Sequence, residues 1–496
     1  MLINLNFKEG DERLSSHTGL ALVGALLNRT GIRERLSEIE VVGCPNPTIV
    51  HGDVIYSMIG LLSLGKTDFD AIEPFRKDPF FCESLGIELC PSAPTLRQRL
   101  ELVNDSFDNV LKEESAKLVQ KTALIITPIK VSQGALVPLD IDVSPFDNSK
   151  TQKEGVSRTY KGFDGYAPIF AYVGQEGYLA NLELREGKQH CQRNTPEFLK
   201  SSITYAKMMT DEKLLVRLDS GNDSIDNVKV CIEEEVQWLI KRNLRRESPE
   251  QWLKIAKEQG QCHSPRLGKT VWTGSVYRDI KGIDKPLRIV YEVTERTIKK
   301  DQFLLVPEIE VDTYWSSLKD TPAKIIELYH DHGTSEQFHS EIKSDMGLER
   351  LPSSDFETNA LVLLASMTAY NMLRLCGQES LREDNGNIEK RPSYRRKVKR
   401  CRLRTVIQDF LYIASRLTFH ARKWYECDQN YATNFWFKLI GLSPFGKNSF
   451  FFASLVKNSQ YSSQSLLFTT ERSLRIDSAP LIPHRAPVIS ILSFTT

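Results

Sequence analysis

Two stretches of this chain pair an apolar run with a carboxylate at its end. Val137-Pro-Leu-Asp-Ile-Asp-Val-Ser carries Asp140 and Asp142, and Leu214-Leu-Val-Arg-Leu-Asp-Ser-Gly carries Asp219. Short apolar runs bounded by turn residues read as strands. A strand that ends in a carboxylate sets it at the edge of a sheet, where burial costs little and a ligand can approach. If the two strands are neighbours, the carboxylates meet and raise one another's pKa unless a cation lies between them. Magnesium is the natural counter-charge, with manganese able to substitute, because a hard ion takes oxygen ligands and keeps open positions for a phosphate.

The candidate for a third carboxylate is Glu336, in Tyr329-His-Asp-His-Gly-Thr-Ser-Glu-Gln-Phe-His-Ser-Glu-Ile-Lys343. Glu336 and Lys343 are seven residues apart, two turns of α-helix, and are expected to share a face. That face offers a metal ligand at one end and a phosphate-binding ammonium at the other. Two ions held by Asp142, Asp219 and Glu336 would activate a water or 3′-hydroxyl and stabilise the leaving oxygen during in-line attack on phosphorus. Each signal is weak alone, since strands ending in Asp are common at turns. The order Asp, Asp, then Glu after a long insertion lifts the reading, yet residue chemistry by itself leaves a generic carboxylate-cluster enzyme.

The elements that must position these groups are read from periodicity. Residues 1–130 read as a helical DNA-binding region, with apolar periodic segments at 20–36 and 54–64. Within it, residues 90–100 look like a helix start capped by Ser92 or Thr95. Arg97, Gln98 and Arg99 there have the donor geometry to read base edges, the other reading being a solvated face. Residues 131–245 read as strands at 135–143, 167–173, 178–184 and 214–218, with helices at 195–209 and 225–235. Three strands, a helix, a strand and a helix is the order of a ribonuclease H-like core. Residues 246–320 read as a largely β insertion, and 321–376 as the second part of the core with the Glu336 helix and a very apolar helix at 359–375. The fold class expected is α/β, flanked by the helical N-terminal region and by a basic C-terminal region with an unassigned tail at 377–496.

Composition narrows the classes. A chain of 496 residues with 41% hydrophobic and 26% charged residues is expected to fold as a soluble protein of several domains, not to be disordered or fibrous. The net charge of +1 conceals a basic block at residues 390–404, KRPSYRRKVKRCRLR, in which Arg395, Arg396, Lys397, Lys399 and Arg400 can neutralise phosphates. His420, Arg422, Lys423 and Trp424 lie beyond it. The nine cysteines form no CxxC pair, so reduced thiols are expected rather than structural zinc. A charged start and the lack of a span of about eighteen apolar residues point away from a secretory signal and a membrane, and toward the cytoplasm.

With these motifs in hand, the chain resembles the DDE-type transposases of bacterial insertion sequences, specifically the insertion sequence 1380 group, from about residue 19 to 424. In that superfamily the third acid sits in a Tyr-x2-Arg-x3-Glu-x6-Lys signature. Tyr329, Glu336 and Lys343 fall at its spacing, with His332 where Arg is usual. Leu139-Asp-Ile-Asp-Val-Ser resembles the first-acid strand, favouring Asp142 over Asp140. Val216-Arg-Leu-Asp-Ser-Gly resembles the second, and Gly165-Tyr-Ala-Pro-Ile and Leu184-Arg-Glu-Gly-Lys resemble the middle strands.

The resemblance implies a ribonuclease H-like fold with a β-rich insertion, a magnesium-dependent triad, and binding of the terminal inverted repeats as double-stranded DNA. It further implies cleavage at the element ends and strand transfer to target DNA, by a homodimer assembled on DNA at the bacterial nucleoid. Tyr329, His332 and Lys343 are expected on the DNA. In related transposases an aromatic residue of the insertion stacks on a flipped base, and Trp272 and Trp315 are placed in sequence to do so, core packing being the other reading. Two rivals stay open. A haloacid-dehalogenase-like phosphatase would use Asp140 as nucleophile, Asp142 as acid and base, and Asp219-Ser-Gly-Asn-Asp223 for magnesium. A catalytically silent DNA-binding derivative of a transposase would bind ends without cutting.

Overall fold

The computed structural model describes residues 13–103, 106–122, 126–299, 302–381, 399–420 and 423–427. They fall into two units, one of the described residues within 20–381 together with 399–407, the other of 13–19, 408–420 and 423–427. After a short strand, β1 (Arg13–Ser15), the chain is helical, as its apolar periodicity predicts. It forms α1 (Leu20–Leu27), α2 (Ile32–Ser37), α3 (His51–Ser63), a 3-10 segment at Phe69–Lys77, α4 (Pro79–Leu85), α5 (Ala93–Glu101) and α6 (Ser106–Thr122). Every residue of α1 and α3 is buried, so both are core helices with no solvent face.

A hairpin of β2 (Ile129–Val131) and β3 (Gly134–Val143) follows. Then come β4 (Phe146–Asp147), β5 (Ser157–Arg158) and β6 (Asp164–Tyr166), which make a small sheet of order β4-β6-β5. Next are β7 (Ile169–Val173), β8 (Tyr178–Glu183), α7 (Thr195–Met209), β9 (Leu214–Leu218), α8 (Ile225–Glu233) and β10 (Gln237–Arg242). After α9 (Pro249–Gln259) the insertion supplies β11 (Gln261–Arg266), β12 (Lys269–Arg278), β13 (Leu287–Lys299) and β14 (Gln302–Ser316).

The insertion does not form a sheet of its own. β14 pairs antiparallel with β10, and one ten-stranded sheet runs β11-β12-β13-β14-β10-β9-β3-β7-β8, with β2 on β3. β3, β9 and β10 are parallel to one another, while β7, β8 and β14 are antiparallel to their neighbours. β7 and β9 are buried at every residue, which is why they read as unbroken apolar runs rather than alternating ones. The far half of the insertion is different, with Leu267, Phe303, Leu305 and Val306 exposed.

The chain then returns to the sheet through α10 (Pro322–His330), a 3-10 turn at Asp331–Thr334, α11 (Ser335–Ser340) and a π turn at Glu341–Asp345. α10 packs its Ile325, Ile326 and Leu328 into a core cluster with Leu136, Leu215, Leu239 and Val290 from the sheet. α12 (Phe356–Glu379) is capped by Asp355 and is long and apolar enough to cross a membrane. Yet 94% of its most apolar window is buried inside the molecule, which makes it a core helix. α13 (Leu403–Val406) belongs largely to the same layer. In the other unit β15 (Ser415–His420) pairs antiparallel with both β1 and β16 (Lys423–Cys427).

Candidate active site

Strand register brings the first two acids together. β3 and β9 run parallel with Asp140 beside Arg217 and Ile141 beside Leu218. The next residues, Asp142 and Asp219, therefore emerge side by side where β9 ends, on strands about 4.8 Å apart. Because side chains alternate along a strand, Asp140, Asp142, Arg217 and Asp219 share one face of the sheet.

That face carries two rows. In the inner row Arg217 grips both oxygens of Asp140, Nε donating to Oδ1 at 2.5 Å and Nη2 to Oδ2 at 2.6 Å, while Nη1 donates to the Leu328 carbonyl of α10 at 2.7 Å. Burial alone would raise Asp140, but Arg217 and His332 hold its carboxyl below the usual range. In the outer row no Lys or Arg among the described residues is ion-paired with Asp142 or Asp219. Burial, and then the charge of Asp142, push Asp219 up, against a 2.8 Å hydrogen bond from the Asn222 amide. Burial also works to raise Asp142, yet the contacts from His339, the nearby His332 and the Val143 N–H at 2.8 Å leave it below its ordinary value.

The helix over this face presents a histidine. His339 Nε2 lies 3.2 Å from Asp142 Oδ2, and the Tyr172 hydroxyl lies 3.0 Å from His339 Nδ1. Burial holds the Tyr172 hydroxyl far above its usual pKa. The ionised Asp142 carboxylate can only accept, so Nε2–H of His339 donates to it and holds its rotamer. Sequence reasoning missed His339. The signal was present in Phe338 and Ile342, four apart and apolar, which mark the inward face of that helix and carry His339 with them.

Glu336 is exposed on α11, one helical turn before His339. The helix phase is set by Phe338, whose ring packs on Tyr172 at 4.9 Å, lies against Gly177, and is covered by the Arg400 guanidinium at 4.5 Å. A side chain at position 177 would collide with that ring, and its φ of +72° also suits glycine. The structure thus gathers Asp142 and Asp219 at neighbouring strand ends, with Glu336 exposed on the helix that carries His339. Among the described residues no three His, Cys, Asp or Glu side chains cluster closely enough to hold an ion. A π turn at Glu341–Asp345 falls between Glu336 and Lys343.

The other expected residues divide clearly. Lys343 Nζ donates to the Pro145 carbonyl at 2.7 Å, and burial, then Lys161, lower its pKa to about 8. His332 is buried with Nδ1 3.1 Å from Asp140 Oδ1, and its Nε2 has no hydrogen-bond partner among the described residues. Burial and the charges of Asp219 and Asp142 raise the Tyr329 hydroxyl, which places Tyr329 beside the pair. On α5, capped by Ser92, Arg97 and Gln98 are exposed. Arg99 is a correction, since it points inward and donates to the Ile49 carbonyl at 2.9 Å and meets His51 Nδ1 at 2.8 Å. Lys399 and Arg400 contact Gln175, and Arg400 also contacts Gln337, so both are tied to the protein surface. Arg395, Arg396 and Lys397 lie outside the described residues.

Trp272 and Trp315 are buried, and Trp315 Nε1 donates to Asp223 Oδ1 at 3.0 Å, so neither offers a face to a base. The same contact, with the Asn243 N–H on Oδ2 at 3.0 Å, makes Asp223 structural. The phosphatase alternative fails here. Its nucleophile Asp140 has both oxygens committed to Arg217, and its doubly wound parallel sheet is not the mixed sheet observed.

A sheet that presents two unneutralised aspartates at the ends of adjacent parallel strands defines a carboxylate-pair enzyme suited to an anionic substrate and a cation. The profile of the family Transposase DDE domain group 1 matches residues 3–424, and the chain belongs to that family of transposases. A solved piggyBac transposase, in a synaptic complex with hairpin DNA, is similar over 90% of this chain and 85% of that chain. The two are 13% identical, with a TM-score of 0.38. No curated protein matches the sequence. The family works with a divalent metal ion. Asp142 and Asp219 fit as two of its ligands, being hard oxygen donors whose mutual repulsion a cation relieves.

Proposed function

We propose that the chain is the transposase of a bacterial insertion sequence of the 1380 group. It binds the element's terminal inverted repeats as double-stranded DNA, cleaves the ends and transfers the 3′-hydroxyl strands to target DNA, acting in the cytoplasm. The observation that carries the reading is the outer row, two adjacent, half-buried carboxylates with no Lys or Arg paired to them among the described residues, in a chain of this family. The strand order β8-β7-β3-β9-β10, with α7 before β9 and α8 after it, supports a ribonuclease H-like core.

Asp142 and Asp219 would hold a magnesium or manganese ion, which would supply Lewis acidity toward a phosphate. His339 and Tyr172 keep Asp142 in its rotamer, and Lys343 offers an ammonium to the phosphate. Glu336, one turn before His339 on the same helix, completes the set if α11 moves closer to the pair. The irregular turns on both sides of α11 are where a helix takes up such a change. Cutting two ends calls for two such sites, hence a homodimer on DNA.

Cleavage of end DNA in magnesium, compared for wild type, Asp142→Asn, Asp219→Asn and Glu336→Gln, tests the assignment. Loss in all three variants is expected, and equal activity in the four proteins would refute it. The exposed Glu336 and the His339 contact on Asp142 favour a second reading, a derivative that binds ends without cutting. That reading predicts tight end binding, no cleavage by wild type, and no effect of Asp142→Asn.

A further inference from the structure

The turn at residues 159–162, between β5 and β6, stands next to the outer row. Gly162 N–H donates to the Thr159 carbonyl at 3.0 Å, and the Thr159 N–H and hydroxyl both donate to the Phe163 carbonyl at 2.8 Å. Tyr160 and Lys161 therefore occupy the two central positions of a tight turn, whose last residue, Gly162, has a φ of +84°.

This turn is tied to the acids. The Tyr160 hydroxyl donates to the carbonyl of Val143, the residue directly after Asp142, at 3.1 Å. Lys343 donates to the carbonyl of Pro145, two residues on, at 2.7 Å. Both side chains thus clamp the same short backbone stretch leaving Asp142. Burial and the charges of Asp142 and Asp219 raise the Tyr160 hydroxyl, and the Lys161 ammonium is near enough to lower Lys343. Yet Tyr160 remains 67% exposed and Lys161 is exposed as well. A phenol whose oxygen is fixed while much of its ring faces solvent is a rigid aromatic surface that costs little entropy to use.

We propose that Tyr160 and Lys161 grip the DNA strand entering the site. The Tyr160 ring stacks on a nucleobase next to the phosphate held at Asp142 and Asp219, and Lys161, with Lys343, holds neighbouring phosphates. The assignment rests on reading the acid pair as the strand-cleaving site and names the substrate contacts of that site.

The test measures binding apart from cleavage. Full-length wild type, Tyr160→Ala, Tyr160→Phe and Lys161→Ala are titrated onto fluorescein-labelled oligothymidylate of about 20 nucleotides, without divalent metal, and read by anisotropy. Tyr160→Ala is expected to weaken binding between about 5-fold and 100-fold, and Tyr160→Phe, which keeps the ring, by less than about 2-fold. Lys161→Ala is expected to reduce the salt dependence by about 0.7 in slope. Unchanged binding in Tyr160→Ala, equal losses in the Phe and Ala variants, or no binding by wild type overturns the proposal. Thermal unfolding of each variant checks that the exposed turn leaves the fold intact. A protein that grips the oligonucleotide through Tyr160 but cleaves nothing sinks the cleavage reading alone, and one that cleaves identically and binds identically without Tyr160 sinks this one alone.

Discussion

Asp140 beside Arg217 and Asp142 beside Asp219 sit two residues apart on one face of β3 and β9, and they are electrostatic opposites. In the inner row charge is matched and every carboxylate oxygen is used, so the pair joins two strands to α10. In the outer row charge is unmatched and is held in place by His339, Asn222 and backbone around it. The difference teaches how to tell structural from functional acids within one motif, since position along the strand is nearly the same and only the partners differ.

Asp219 differs from the other two acids in the sign of its pH dependence, since Asp142 is held low as Asp140 is. Asp140 is held below its unfolded value, so its stabilisation is present above that value and is lost as pH falls through the folded pKa. Asp219 is raised, so the folded state is favoured below the unfolded pKa and that advantage is lost as pH rises through the folded one.

Four measurements can break or sharpen this contrast. The largest effect is expected for Arg217→Met, which leaves Asp140 buried without its partner. Urea unfolding should show a loss of about 3–5 kcal/mol, much of it recovered by adding Asp140→Leu. A small loss would mean that the inner row is not the fastening described. Next, Asp142→Asn or Asp219→Asn should cut end cleavage by about 100-fold to 1,000-fold. Asp219→Asn should leave the melting temperature unchanged or raised as repulsion is removed, whereas Asp142→Asn, which loses a carboxylate held low by His339, should lower it. A lowered melting temperature in Asp219→Asn would erase its distinction from Asp140.

His339→Ala should cost about 10-fold to 100-fold in cleavage and raise the magnesium concentration needed for half activity. Loss of activity with an unaltered metal requirement would argue against positioning of Asp142. The smallest effect concerns Lys343, whose free-state pKa of about 8 must rise on meeting a phosphate. DNA affinity should therefore be full below about pH 8 and fall several-fold as pH climbs through it, while Lys343→Met gives a flat profile. Parallel profiles for the two proteins would remove Lys343 from the phosphate.

Much of the frame was legible because its signals are local. The apolar runs ending at Asp142 and Asp219 placed β3 and β9, α7 falls at Thr195–Met209 where Pro196 and the apolar spacing start and stop it, and Ser92 caps α5. The insertion was visible as β-rich, but not as part of the main sheet, since pairing of β14 with β10 joins residues far apart in the chain.

What the sequence by itself determined was which segments are strands and helices and which acids lie at strand ends, because apolar periodicity and capping act over a few residues. Only the tertiary structure decided that Arg99 and Trp315 turn inward, that Arg217 neutralises Asp140 and leaves Asp142 unmatched, and that α11 sets His339 against Asp142. The cause in each case is packing across the chain. Phe338 seated against Tyr172 and Gly177 sets the rotation of α11, and rotation selects the side chain that faces the acids.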